Sequence, residues 1–255
     1  MNDFNRSVAA ARTGTMDASQ DAGLRSFMLG VYNKLALGIA LAGLIAFAVG
    51  TYEPLTALIW GTPLKWVVQF GPIALILVSA FAMRNPSPTG SAILYWTIVS
   101  LLGACLSMWV VIASSGMTVT SRGGAAMSAD YMTITKAFLV TATAFGALSL
   151  FGYTTKRDLR PIGTFLVIAL FGLVGLSLIS LLFPPSGMLE LAIMGGILLV
   201  SAGLVAWETQ ELKEGYYAFA GDARSMAVMT NWGALNFFIL FYNMFTIILS
   251  LMSRE

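Results

Sequence analysis

The sequence predicts an all-α, polytopic membrane protein of seven transmembrane helices. Charged residues make up 10% of the 255, against roughly 25% in ordinary soluble chains, and 58% are hydrophobic. Apolar runs of about 20 residues, long enough to cross a hydrocarbon core of about 30 Å, recur along almost the whole chain. They leave no room for a separate soluble domain, so one membrane domain is expected.

Taken in order, residues 1–26 are polar, of mixed charge and rich in Ala, Ser and Asp, with no apolar stretch of the kind a secretory signal needs. They read as a short amino-terminal tail. Seven spans follow at 27–49, 66–83, 91–113, 137–153, 162–183, 188–207 and 232–252, which makes 27–252 the membrane domain and 253–255 a carboxyl-terminal tail. Breakers stand between them: Gly71-Pro72 near the start of the second span, Asn85-Pro86-Ser87-Pro88 after it, and Pro184-Pro185 between the fifth and sixth. The connection 114–136 is rich in Ser, Thr and Gly and reads as irregular.

Orientation follows from the basic residues. With the amino end cytoplasmic, ten of the 14 Lys and Arg lie inside (Arg6, Arg12, Arg25, Lys34, Arg84, Lys156, Arg157, Arg160, Lys213, Arg224) and four outside (Lys65, Arg122, Lys136, Arg254). A multi-pass protein of the cell inner membrane is expected, its amino end cytoplasmic and its carboxyl end periplasmic. Lys34, a few residues into the first span, is expected to snorkel to the inner surface.

Composition excludes much chemistry. Histidine is absent, which removes Ser-His-Asp and Cys-His sites and every His-ligated metal or haem. Cys105, the only cysteine, has no partner in the chain and reads as core packing. A net charge of +2 without a basic stripe gives no footing for nucleic acid. The last span lacks the Lys a retinal protein requires, and neither two related halves nor an intramembrane protease pair is visible. No enzyme and no cofactor are expected.

One stretch, 206–217 (AWETQELKEGYY), is where a long apolar run meets carboxylates. If the helix continues, Glu208, Glu211 and Glu214 lie along one drifting face that can hold a proton, a cation or an Arg; the alternative is a solvated exit turn. The second and sixth spans run the same way, so Arg84 and Glu208 finish at one level and could pair, or each could reach water or lipid phosphate. In the last span Asn236, Leu240 and Asn243 share a face, whose two amides call for partners inside the bundle or line a polar cavity. Small residues at helical spacing (Ala142 with Gly146, Gly172 with Gly175, and Gly195, Gly196 and Gly203) mark candidate close approaches between helices.

Three stretches carry a resemblance: 141–159 (TATAFGALSLFGYTTKRDL), 206–213 (AWETQELK) and 233–245 (GALNFFILFYNMF), with a weaker fourth at 80–84 (AFAMR). Their order and spacing are similar to those of the Bax inhibitor (transmembrane Bax inhibitor motif) family, over about residues 27–252. The pattern from Gly152 to Leu159 is the most specific. The resemblance implies six helices around a central seventh and no enzymatic activity.

It also implies a function. Bacterial members of this type are described as pH-sensitive calcium leak pathways, in which a carboxylate at the end of the sixth helix shares a proton with an Asp in the seventh and is latched by an Arg from the second. Carried over, the first carboxylate is Glu208 and the Arg is Arg84, while Leu240 stands where the second acid belongs. Two close carboxylates cannot both ionise cheaply, whereas one Glu facing an Arg stays charged, so weak pH sensitivity is expected. Calcium takes six to eight oxygens, and Glu208, Glu211, Asn236 and Asn243 offer only a partial set, so the metal site is unknown. Some bacterial relatives instead act as partners of a membrane-anchored ATP-dependent quality-control protease in membrane stress, gripped by the amino-terminal tail. The lipid bilayer, calcium and such a protease are the partners this reading allows.

Overall fold

The computed structural model describes the backbone of residues 2–82, 85–180, 182–184 and 186–254, and their side chains from Asp21 onward except 80–82. Its elements are α1 (Asn2–Thr51), α2 (Glu53–Trp60), α3 (Leu64–Ala82), α4 (Pro88–Ser115), β1 (Val119–Thr120), β2 (Ala126–Met127), α5 (Tyr131–Thr154), α6 (Arg160–Ser180), α7 (Gly187–Phe219) and α8 (Ala223–Met252). Among the described residues six helices are long and apolar enough to cross a membrane, and α2 and α3, bent by 70° at their junction, make a seventh when the pair is counted as one span. The bend falls at Gly61 to Pro63, where a proline follows a helix-ending glycine.

Local chemistry sets the helix starts. Ser87 caps α4, its hydroxyl accepting from Gly90 N (3.0 Å) with Pro88 in the first helical position. Asp130 caps α5 by accepting from Thr133 N (2.6 Å). Those hydrogen bonds from Thr133 hold its carboxyl below the ordinary Asp range. Asp222 caps α8 by accepting from Arg224 N (3.0 Å) and the Ser225 hydroxyl.

At the centre is α8. It is the most buried of the spans and packs directly on α1, α4, α5 and α7. Phe237, Leu235, Met244 and Leu249 from α8 are among the largest fully buried side chains. The two outer helices reach the bundle through a neighbour, α3 against α4 and α6 against α7. On α6 only Gly163 is buried, and Phe165, Ile168 and Phe171 are exposed. In water such a surface would be a liability; in lipid it is the solvated face.

Close helix approach occurs at some of the glycines the spacing suggested and at others it did not. A Cβ on Gly152 would sit 2.1 Å from Ala206 O of α7, and one on Gly103 would sit 2.8 Å from Ala42 Cα of α1. At Gly146, Gly172, Gly175 and Gly195 it would meet nothing within 4 Å, while at Gly203 and Gly196 it would come within 2.6 Å of Leu166 and 3.0 Å of Leu173 of α6. A small residue at a lipid-facing position and one at a helix crossing look alike in sequence, which is why the spacing failed to separate them.

The connection 114–136 is shorter and more ordered than expected. Gly116 takes the left-handed conformation (φ 63°) that ends α4, and Gly124 (φ 86°) turns the β1–β2 hairpin. The chain terminus adds to this hairpin: Met127 bridges to Arg254, and Ser128 N donates to Ser253 O (2.8 Å). Glu190 of α7 clasps both, its carboxylate accepting from Arg254 Nη2 (2.6 Å), Gly123 N (2.7 Å) and Ser121 Oγ (3.1 Å). Arg254 and Glu190 are 12% and 21% exposed. Removing one member of so enclosed a pair strands the other, so Glu190→Ala is expected to cost about 3 kcal/mol. Thermal unfolding of the purified variant in detergent checks this.

Candidate functional site: the Glu208 pocket

The helix does continue past Trp207, as α7 runs unbroken to Phe219. Three-residue spacing drifts by roughly 60° per step, and the three acids part company accordingly. Glu208 is buried, 9% exposed. Glu211 is exposed, and Glu214 reaches sideways to pair with Arg160.

Glu208 lines a pocket of about 190 Å³ whose described walls come from three helices: Val167 and Leu170 of α6, Leu204 and Trp207 of α7, and Asn236, Ile239 and Leu240 of α8. Asn236 Nδ2 donates to Glu208 Oε1 (2.9 Å). The polar face of the last span therefore does look at the preceding one. Leu240, one turn further along α8, is buried in the same pocket. Asn243 is half-buried and does not line it. Arg84 lies outside the described residues, and among those described no cation forms an ion pair with Glu208.

Chemically the pocket is one carboxylate, one amide and an apolar lining. An enclosed carboxylate whose charge only an amide answers is a place for a proton or a cation. Glu208 and Asn236 bring three side-chain oxygens, short of the six to eight of a calcium cage, and no cluster of three or more acidic or thiol groups occurs among the described residues. The site suits transient occupancy rather than storage.

Beside it, α7 organises the connection between α5 and α6. Gln210, buried, accepts from Leu159 N (2.7 Å) and donates to Arg157 O (2.8 Å), while Lys213 Nζ donates to Tyr153 O (3.1 Å). With Gly152 pressed on Ala206, the stretch 152–159 is thus docked on 206–213. The two most recognisable stretches of the sequence form one interface. A match to the family model described as inhibitor of apoptosis-promoting Bax1 covers residues 24–255. The chain belongs to the Bax inhibitor family.

Relatives in this family extend over nearly the whole chain. A protein of Caulobacter vibrioides is 44% identical, covering 98% of this chain and 97% of its own length. One of Rickettsia prowazekii is 30% identical over 96% and 95%. The inner membrane protein YbhL of Escherichia coli K12 is 27% identical over 92% and 94%.

A second polar cluster, which sequence reasoning missed, joins Lys34 of α1 and Asn231 of α8 to the first turn of α4. Lys34 turns into the bundle rather than out to the surface: its Nζ donates to Asn231 Oδ1 and lies 5.5 Å from the Tyr95 ring centre and 6.0 Å from that of Trp96. Asn231 Nδ2 donates in turn to Pro88 O (2.9 Å) and Ser91 Oγ (2.8 Å). Asn231 falls just before the expected start of the last span, and α8 begins at Ala223 instead. An amide so close to the presumed boundary gave no signal of its own. Cys105 packs as expected, donating from Sγ to Val68 O (3.3 Å).

Proposed function

We propose that this Bax inhibitor family protein is a low-conductance cation leak of the cell inner membrane, with Glu208 as the group that a permeating cation or proton exchanges at. The observation that carries it is the enclosed Glu208 carboxylate, hydrogen-bonded to Asn236 and facing Leu240 in one small pocket. A buried acid without a described cation partner is costly unless something visits it. The amino end is placed in the cytoplasm, in keeping with the excess of Lys and Arg on that side. No catalytic step is assigned to the protein.

Leu240 defines what kind of leak this is. With a second acid the pocket would hold a shared proton; with Leu240 it holds one acid, so the charge on the pathway rests on Glu208 alone, and the flat pH response expected of a Glu facing an Arg has no described cation behind it. Calcium is the cation to test, with Arg84 as the candidate latch and Glu211 and Asn243 as further polar groups to substitute.

Calcium efflux from proteoliposomes at about pH 6 and about pH 8 tests this reading. Glu208→Gln keeps shape and removes charge, and is expected to lower efflux at least tenfold, or about 1.4 kcal/mol in barrier. Efflux no greater than from empty liposomes at either pH would sink the leak. The reading to pursue would then be a partner of a membrane-anchored ATP-dependent protease, engaged through residues 1–26.

A further inference from the structure

We propose that the cleft between α1 and α5 is a binding site for an anionic phospholipid, one acyl chain lying in the groove and the phosphate held at Arg25. The groove has a volume of about 580 Å³, and Arg25, Ala36 and Ile39 of α1, Ala142 and Gly146 of α5 and Phe241 of α8 define its length. That volume is within the roughly 300–1,000 Å³ of sites that hold small organic ligands. Its lining is almost wholly aliphatic and aromatic, and it opens sideways, where a membrane-spanning helix pair meets lipid.

The groove exists because α1 and α5 both pack on α8 without closing on each other. Small side chains keep it open: a Cβ at Gly146 would meet nothing within 4 Å. Its floor is tied by a hydrogen bond between Tyr32 and Ser149, and Ser149 Oγ lies 3.1 Å from Thr209 Oγ1. Towards the other membrane face a second cavity, about 430 Å³, shares Ile39 and Phe241 with it.

Depth and charge point to the occupant. Arg25 and Ile39 are 14 residues apart on α1, about 21 Å at 1.5 Å per residue. One leaflet contributes about 15 Å of hydrocarbon, so with Ile39 near the midplane Arg25 is at headgroup level. Arg25 is exposed and forms no ion pair among the described residues; Asp21, a turn before it, is the nearest acid on its helix. At the same end Tyr153 lines the groove, with Lys213 Nζ lying 5.1 Å from its ring centre. The exposed Lys156 and Arg157 follow in the next connection. An apolar slot ending in cations is complementary to an acyl chain ending in a phosphate.

The test is native mass spectrometry of the purified full chain with phosphatidylglycerol and, separately, phosphatidylcholine of the same chain lengths. The wild type should retain phosphatidylglycerol preferentially, and Arg25→Gln should lower that retention by about tenfold toward the phosphatidylcholine level. Gly146→Phe projects a ring into the open groove and should displace both lipids, with Gly146→Ala as the folded control. Equal retention of the two lipids, or full retention by Gly146→Phe with its thermal transition intact, overturns the proposal. So does a dimer that Gly146→Phe dissociates, which would make a second copy of the chain the occupant.

Discussion

Leu240→Asp is expected to make the flux rise several-fold more than that of the wild type between about pH 6 and about pH 8. The side chain is buried beside Glu208 in a pocket of about 190 Å³, too small to keep two carboxylates apart. Two acids so placed cannot both ionise cheaply, so the pair holds one proton on the acid side and releases it as the pH rises. Each proton released adds a negative charge where the cation passes. Leu240→Asn has the same shape without the charge and should leave the wild-type profile unchanged. Proteoliposome efflux across this range decides it: a Leu240→Asp profile that overlays the wild type would mean that Glu208 and residue 240 do not act as a unit.

Gly152→Ala is expected to cost ~3 kcal/mol, although it adds a single methyl group. That methyl would lie 2.1 Å from Ala206 O, and the obstacle is backbone rather than a side chain that can swing away. Parting α5 from α7 also strains the hydrogen bonds from Gln210 and Lys213 to the connection at 153–159. Gly146→Ala, two turns earlier on the same helix, meets nothing and should be neutral or gain up to ~1 kcal/mol from helix propensity. Thermal unfolding of both variants in detergent separates them. Equal stability would mean that the α5–α7 crossing is not held as closely as described.

Much of the site was legible because membrane sequences are restrictive. An apolar run tolerates few polar residues, so Glu208 and Asn236 stood out, and helical periodicity put Asn236 and Leu240 on one face. The hydrogen bond of Asn236 to Glu208 supplies the partner inside the bundle that its amide called for, without the sequence naming which one. Lys34 shows the limit. A lysine near a helix end reads as a snorkel, and only the arrival of Asn231, 197 residues later, gives it a partner inside. The clasp of Glu190 on Arg254 was hidden for the same reason, its two halves being 64 residues apart and meeting at a hairpin from a third stretch of the chain.

By itself the sequence determined the membrane class, the order of the long apolar helices though not where α1, α7 and α8 begin or end, the family, and the absence of histidine chemistry. Each follows from composition, from local periodicity or from short stretches read in order. Tertiary structure alone decided which of Glu208, Glu211 and Glu214 is enclosed, that Leu240 shares its pocket, and that Gly152 rather than Gly146 lies at a helix crossing. The physical reason is that a helix repeats its faces every few residues but does not name what each face will meet. That is settled by packing between segments distant in the chain, where a difference of one turn separates a buried carboxylate from a solvated one.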